Sequence, residues 1–367
     1  MLNFDKLFTN RSINNLTLHN SLVVAPMTRV SASEDGIASE RMRSYYQDFI
    51  RGGFSLIITE GIYIDQKWSQ TYQFQAGITN DEQAQAWKLV TEAVHVKGGK
   101  IFAQIQHSGS LSQGNYFKTG SIGPSAIQPK GEQLSFYRGE GEYPIPREIE
   151  ENEIHEIIQS FANAAERAIN SAGFDGIEIH GANGYLLDQF LTDYSNTRTD
   201  KWGGNTANRL RLSLEVIKAV RKRLGKEIPI GIRISQGKVN DFFHKWANGE
   251  EDAKTVFEAL AISGVDYVHV TEYEAWQPAF NNNPLSFVQL ARKYAPNLTI
   301  IANGSLHVPE RAVQVLEHGA DFIALGRGAL ANHNWPLLIE NHQEQREFDR
   351  DILMPIADIK DKELSNF

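Results

Sequence analysis

Eight short apolar, β-branched runs recur along the chain, at 21–25, 54–59, 100–105, 174–179, 228–232, 265–270, 298–302 and 321–325. Between them lie stretches with helical period or helix signals, among them 81–97, 150–172, 207–224, 253–262 and 309–318. Gly98, Gly173, Gly225, Gly264 and Gly319 stand where such helices should end. Strand then helix, eight times over, predicts a (β/α)8 barrel, an α/β fold with a closed parallel sheet. A doubly wound open sheet is the rival, but it should carry G-x-G-x-x-G after an early strand, and none is present. One segment breaks the alternation: 107–148, between the third strand and its helix, is rich in Gly, Pro, Ser and charge and carries Phe136, Tyr137 and Tyr143. A loop of that length predicts an ordered cap over the barrel mouth, with room for a β-hairpin. A single domain over 1–367 is expected.

Composition narrows the chemistry. At 41% hydrophobic the chain can bury a large core, and a net charge of −9 argues against non-specific nucleic-acid binding. Zero cysteine excludes disulfides, thiolate zinc sites and cysteine-ligated iron–sulfur clusters. The N-terminus has no long apolar segment and no run reaches ~18 apolar residues, so a soluble, cytoplasmic protein without a membrane partner is expected. A homo-oligomer is left open.

In a barrel, chemistry gathers at the C-terminal ends of the strands. The residues expected there are Thr28, Thr59, Glu60, Gln104, His180, Arg233, Thr271, Glu272, Asn303, Gly304, Gly326 and Arg327. No lysine is among them, which argues against a Schiff-base aldolase. The first strand lacks H-x-H and no H-E-x-x-H occurs, so no metal site is expected. Asn303-Gly304-Ser305 offers unhindered backbone N–H groups, and Gly326-Arg327-Gly328 adds a guanidinium at a helix start. Together they suggest a phosphate grip. After the fourth run comes His180-Gly181-Ala182-Asn183-Gly184-Tyr185. One turn of helix-like backbone would put His180 and Asn183, at i and i+3, on one side. Two neutral donors aimed at one point can hold a carbonyl or nitro oxygen as it gains charge. Tyr185, with a reference pKa near ~10, can act only as an acid at neutral pH. Two donors and a proton source suggest reduction of a polarised double bond.

Further motifs occur in order: Val24-Ala25-Pro26-Met27-Thr28-Arg29, Gln104-Ile105-Gln106-His107-Ser108-Gly109, Gly123-Pro124-Ser125-Ala126-Ile127, Asn196-Thr197-Arg198-Thr199-Asp200-Lys201-Trp202, Ile232-Arg233-Ile234-Ser235 and Ala324-Leu325-Gly326-Arg327. With the segment around His180, and from Leu7 through Pro336, the chain resembles the Old Yellow Enzyme family of FMN-dependent NADH:flavin oxidoreductases and ene-reductases. The resemblance implies FMN with NADH or NADPH as reductant, and reduction of α,β-unsaturated carbonyl or nitro compounds by hydride from flavin N5. It places the FMN phosphate on Gly304, Ser305, Gly326 and Arg327, with Asn303, Pro26 and Met27 also at the cofactor. Thr28 would lie near flavin O4, and Gln104 at the pyrimidine edge, donating and accepting. Arg233 would face the N1–C2=O edge; its alternative is a salt bridge to Glu60 or Glu272, because a charge at the end of a buried strand needs a partner. His180, Asn183 and Tyr185 would bind and protonate a small-molecule substrate, with Trp276, Tyr63, Trp68, Tyr72 and Tyr116 as further pocket candidates. Asn196, Arg198, Asp200 and Arg209 read as a structural network.

The sequence departs from the family pattern at several places, which puts substrate range in question more than reaction type. Thr28 replaces the cysteine of one branch, and Asn183 a frequent second histidine. Gln106 stands at a bulky aromatic position, and His107-Ser108-Gly109-Ser110 replaces H-x-G-R. Two other functions fit the same cofactor: a flavin reductase or NAD(P)H oxidase using oxygen, quinone or free flavin, and a catalytically idle FMN-binding redox sensor.

Overall fold

The computed structural model describes residues 4–364. Its centre is a closed barrel of eight parallel strands: β1 (Leu22–Val24), β2 (Leu56–Tyr63), β3 (Lys100–Gln106), β4 (Gly176–Asn183), β5 (Ile230–Lys238), β6 (Tyr267–Thr271), β7 (Thr299–Asn303) and β8 (Phe322–Leu325). Each pairs with the next in sequence, and β8 closes on β1. The helices between them are α1 (Glu40–Arg51), α2 (Asp81–His95), α3 (Glu151–Asn170), the short α4 (Leu186–Leu191), α5 (Thr206–Leu224), α6 (Glu250–Ala261), α7 (Phe287–Tyr294) and α8 (Pro309–Glu317), with α9 (Arg327–Ala331) after β8. Side chains cap several first turns: Asn80 accepts from the Gln83 N–H, Asn205 from that of Asn208, and Ser286 with Gln289 forms a capping box on α7. All five glycines expected at helix ends have positive φ, from 77° to 114°.

Strand alternation decides what faces the barrel axis. Val23, Ala25, Leu56, Ile58, Phe102, Tyr267, Ile301, Phe322 and Ala324 form one buried cluster, joined by Ile13 and Leu18 of the N-terminal hairpin. Gly231 makes room for this layer: a Cβ there would lie 2.3 Å from the Tyr267 ring. Two residues further along the same inward rows stand Glu60, Gln104, His269, Arg233 and Asn303, so an apolar floor carries a polar upper layer.

Three strands outrun their apolar sequence signal. β2 continues to Tyr63, β4 to Asn183 and β5 to Lys238, because the ladders survive past irregularities at 58/61 and 181/183. Glu60, His180 and Arg233 therefore lie within strands and not beyond them. In 107–148 the expected hairpin is reduced to one antiparallel bridge, Glu132 with Glu142, while Ile122–Gly123 pairs in parallel with Arg147–Glu148. The rest of this loop is tied down by side chains. Gln113 alone accepts from the Leu134 N–H and donates to the Leu134 and Tyr137 carbonyls. No helix among the described residues is long and apolar enough to cross a membrane.

Candidate active site

Register places the polar upper layer as neighbours. Gln104 lies opposite Glu178, His180 opposite Arg233, and Arg233 opposite His269. Gln104 Nε2 donates to Glu178 Oε1 at 2.8 Å, and Glu178 Oε2 is 2.8 Å from His269 Nδ1. The carboxylate takes one N–H of the Gln104 amide and turns its nitrogen toward Glu178, while the second N–H and the oxygen keep the donor and acceptor capacity expected of Gln104. Sequence reading missed Glu178. Its signal was an acid inside a β-branched run, which is stable only with partners.

Arg233 has no carboxylate partner among the described residues. Glu60 Oε1 accepts the Arg29 N–H, and Glu272 serves Lys245 and Gln236. Arg233 Nη2 instead donates to Thr271 Oγ1 at 3.2 Å and Asn303 Oδ1 at 2.9 Å, while its buried Nε has no partner. Burial brings its pKa down to about 10, against the pull of Glu178 and Tyr185, and it stays cationic at neutral pH. Asn303 is thereby committed: Oδ1 accepts from Arg233 and Thr271, and Nδ2 donates to the Ala324 carbonyl. Its side chain braces Arg233.

The expected helix-like turn at His180 is not formed. His180 and Asn183 both belong to β4, and the chain turns through left-handed backbone at Asn183 (φ 61°) and Gly184 (φ 89°). The Asn183 N–H donates to Ser235 Oγ, and the Gly184 N–H to Asp188 Oδ2. Lys238, the β5 partner of Asn183, holds both Asp188 oxygens at 2.8 and 2.9 Å in a buried ion pair. The turn brings the Tyr185 ring to 5.1 Å from the His180 ring, at the start of α4. His180 Nδ1 is buried without a partner among the described residues, and burial first, then Arg233 and His269, holds the imidazole well below its usual pKa, hence neutral. Tyr185 Oη lies 2.7 Å from Tyr72 Oη. The Tyr72 ring packs 4.3 Å from that of Tyr137, whose hydroxyl donates to the Thr28 carbonyl.

Pro26, Met27 and Thr28 are half-buried in the loop after β1. Arg29 anchors that loop with both Glu363 oxygens at 2.6 and 2.7 Å and the carbonyls of Ala357 and Asp358. Around the rim, a Cβ on Gly326 would reach Met27 Sδ at 3.7 Å. Gly304 has φ 145°, and a Cβ there would lie 2.3 Å from the Glu272 carbonyl oxygen, so only glycine fits. Ser305 Oγ donates to the Tyr273 carbonyl and accepts from exposed Arg327. Among the described residues the remaining candidates make their contacts elsewhere. Trp276 lies under the Arg311 guanidinium, Trp68 under Lys118, and Tyr63 Oη donates to the Asp35 carbonyl; Tyr116 is exposed. Asn196 and Arg209 bond mainly to backbone carbonyls at 190, 191, 202 and 204, and Arg198 joins the carbonyls at 124 and 149 to the carboxylates of Asp200 and Glu148, a bracing role.

Residues 6–346 match the NADH:flavin oxidoreductase / NADH oxidase family. The chain belongs to this family, the Old Yellow Enzymes. An NADH oxidase of Thermoanaerobacter brockii is 36% identical over 346 residues, 92% of this chain, which spans 51% of that relative's length. A probable flavin mononucleotide-dependent alkene reductase of Leishmania infantum is 35% identical, covering 86% of this chain and 85% of its own. The Old Yellow Enzyme homologue of Zymomonas mobilis superposes with a TM-score of 0.88 at 28% identity over 99% of both chains. Morphinone reductase, solved with tetrahydroNAD, gives 0.81 at 32% identity over 95% of this chain and 93% of that one. This Old Yellow Enzyme is thus an FMN-dependent NAD(P)H oxidoreductase. The residues present fit the cofactor: Arg233 Nε and His180 Nδ1 are buried polar atoms without a protein partner, beside a strapped glycine loop and an exposed arginine.

One rim acid offers a test of stability. Burial pushes the Glu60 carboxyl up to about 7 from 4.5, against the N–H and charge of Arg29, and its Oε2 has no partner among the described residues. The fold favours the neutral form. Glu60 is neutral in both states below about 4.5, and the cost of ionising it in the fold grows as pH rises to about 7. Glu60→Gln should therefore melt higher than the parent at pH 8, by on the order of 3 kcal/mol, and close to it at pH 4.5. Equal differences at both pH values, read by calorimetry, would contradict this.

Proposed function

We propose that the enzyme reduces the activated double bond of α,β-unsaturated carbonyl or nitro compounds. The observation that carries this reading is the meeting of neutral His180, left-handed Asn183 and Tyr185 at the end of β4, beside cationic Arg233. The chemistry FMN supplies when bound is hydride transfer between NADH or NADPH and the acceptor. Gln104, Arg233, Gly304, Ser305, Arg327 and the loop of Pro26, Met27 and Thr28 would hold it.

The protein supplies position and charge. His180, kept neutral, donates one N–H to the substrate's oxygen and adds no full charge of its own. The Asn183 amide supplies the second donor, and the two stabilise that oxygen as it becomes negative. Tyr185, pushed up to about 12 by burial against Tyr72 and Arg233, stays protonated through the neutral range and delivers its proton to the carbon. Arg233, paired with no carboxylate, retains its charge for an anionic neighbour.

The NADH oxidase relative supports a second reading, with oxygen as the acceptor. Steady-state turnover under air and under argon separates the two. On the first reading, NAD(P)H consumption with 2-cyclohexenone under argon exceeds that with air alone and yields the saturated ketone. Consumption in air without product under argon would favour the second.

A further inference from the structure

Four tyrosines, Tyr72, Tyr137, Tyr143 and Tyr185, share a small apolar cluster beside the barrel mouth. Two have committed their hydroxyl protons: Tyr137 to the Thr28 carbonyl at 3.0 Å and Tyr143 to Gln113 Oε1 at 3.4 Å. Among the described residues the other two hydroxyls meet only each other, 2.7 Å apart. That contact uses one of their two protons and leaves one over. Were Tyr185 the donor, the spare proton would sit on Tyr72, which is 1% exposed and has no second acceptor. With Tyr72 as donor, the spare proton belongs to Tyr185, whose ring stands 5.1 Å from that of His180. Only the second arrangement gives every buried donor a partner once substrate is present.

We propose that Tyr72 is a positioning residue for alkene reduction: its hydroxyl donates to Tyr185 Oη, turns the Tyr185 proton toward the substrate and holds the oxygen that the proton leaves. The inference rests on Tyr185 as the acid. In that step the Tyr185 O–H bond breaks and a C–H bond forms at the alkene carbon. The O–H electron pair stays on the Tyr185 oxygen, and solvent later returns the proton. The hydride on the other carbon derives from NADH or NADPH by way of FMN. Tyr72 keeps its own proton throughout. A hydrogen bond to an ionised acceptor is stronger than one to a neutral acceptor, so this contact tightens as charge develops, when it speeds the reaction. Acidities agree with the direction. Burial raises Tyr72 well above the usual phenol range, whereas its hydrogen bond pulls Tyr185 back down against burial.

Tyr72→Phe removes one oxygen from a packed ring. Loaded with FMN and pre-reduced under argon, the variant should reduce 2-cyclohexenone about 10- to 10²-fold more slowly in single turnover, the range for a hydrogen bond to a charged group. The solvent deuterium isotope effect on that step should rise, and reoxidation by a quinone, which needs no carbon protonation, should keep the parental rate. In a Tyr185→Phe background the same change should alter the enone rate by less than about twofold, as expected when one group acts through the other. Tyr143→Phe, lost from the same cluster without touching Tyr185, should match the parent. A parental enone rate in Tyr72→Phe beside a slow Tyr185→Phe overturns the role of Tyr72 alone. Equal slowing with enone and quinone reduces Tyr72 to packing and overturns it too. A parental rate in Tyr185→Phe removes both this role and the acid assigned above.

Discussion

Arg233→Ala should lower the midpoint potential of bound FMN. The guanidinium is buried and cationic; Glu178 pulls on it through space, but among the described residues no carboxylate hydrogen-bonds it. Its two hydrogen-bond partners, Thr271 and Asn303, are neutral, so its charge is available to whatever anion forms in the mouth. Two unit charges about 4 Å apart at an effective dielectric of about 20 interact by about 4 kcal/mol, an upper figure once solvent relaxes. Removing the charge disfavours the reduced, anionic cofactor relative to the oxidised one, and the potential falls. Arg233→Lys should recover part of the loss, because it restores charge without the planar fork that Asn303 and Thr271 grip. The measurement is a spectroscopic redox titration with FMN saturating. An unchanged potential in the alanine variant would leave Arg233 as a brace for Thr271 and Asn303 and nothing more.

The barrel was legible because its information is local and repeated. Each β-branched run reports burial on both faces, five of the helices announce their end with a glycine, and neither signal depends on distant residues. Strand ends were less legible. β4 continues through His180 to Asn183 because ladder bonds to β5 persist where the apolar pattern has ended. The expectation of a helical turn there failed for the same reason. Spacing at i and i+3 suits a helix, but the positive φ of Asn183 depends on Gly184, Ser235 and the buried Asp188–Lys238 pair, which lies 50 residues apart in sequence.

The site residues were named more easily than their partners. His180, Asn183, Tyr185, Gln104 and Arg233 stand next to strong strand signals. Glu178, Tyr72 and Tyr137 take their meaning from contacts that sequence does not display. Gln104 reads as a free amide until Glu178 is seen to hold its nitrogen. Asn303 reads as a ligand, and the bonds that also make it a brace for Arg233 are seen only in the barrel. Trp276 is an aromatic candidate by position after β6, and in the fold one face of its half-buried ring takes the Arg311 guanidinium of α8. Aromatic residues near a rim are ambiguous because the same apolar area serves a pocket or a helix seat.

Tyr185→Phe should leave flavin reduction by NADH or NADPH nearly intact and slow reoxidation by 2-cyclohexenone by about 10²-fold or more, the usual contribution of a general acid. Tyr185 is buried, its hydroxyl is shared only with Tyr72 among the described residues, and burial keeps it protonated far above neutral pH. A phenol so placed can give a proton to carbon but contributes nothing to a step that protonates no carbon. Reoxidation by a quinone should therefore change little in this variant. His180→Ala and Asn183→Ala should behave differently. They remove donors to an oxygen, so they should weaken binding of phenolic ligands, followed by the flavin's spectral change, as well as slowing the enone. Single-turnover kinetics of the two half-reactions keeps these effects apart, because a loss of binding appears in the substrate dependence and a loss of the acid in the limiting rate. If Tyr185→Phe reduces the enone as fast as the parent, the proton comes from water or another group, and the Tyr72–Tyr185 pair is a packing contact at the mouth.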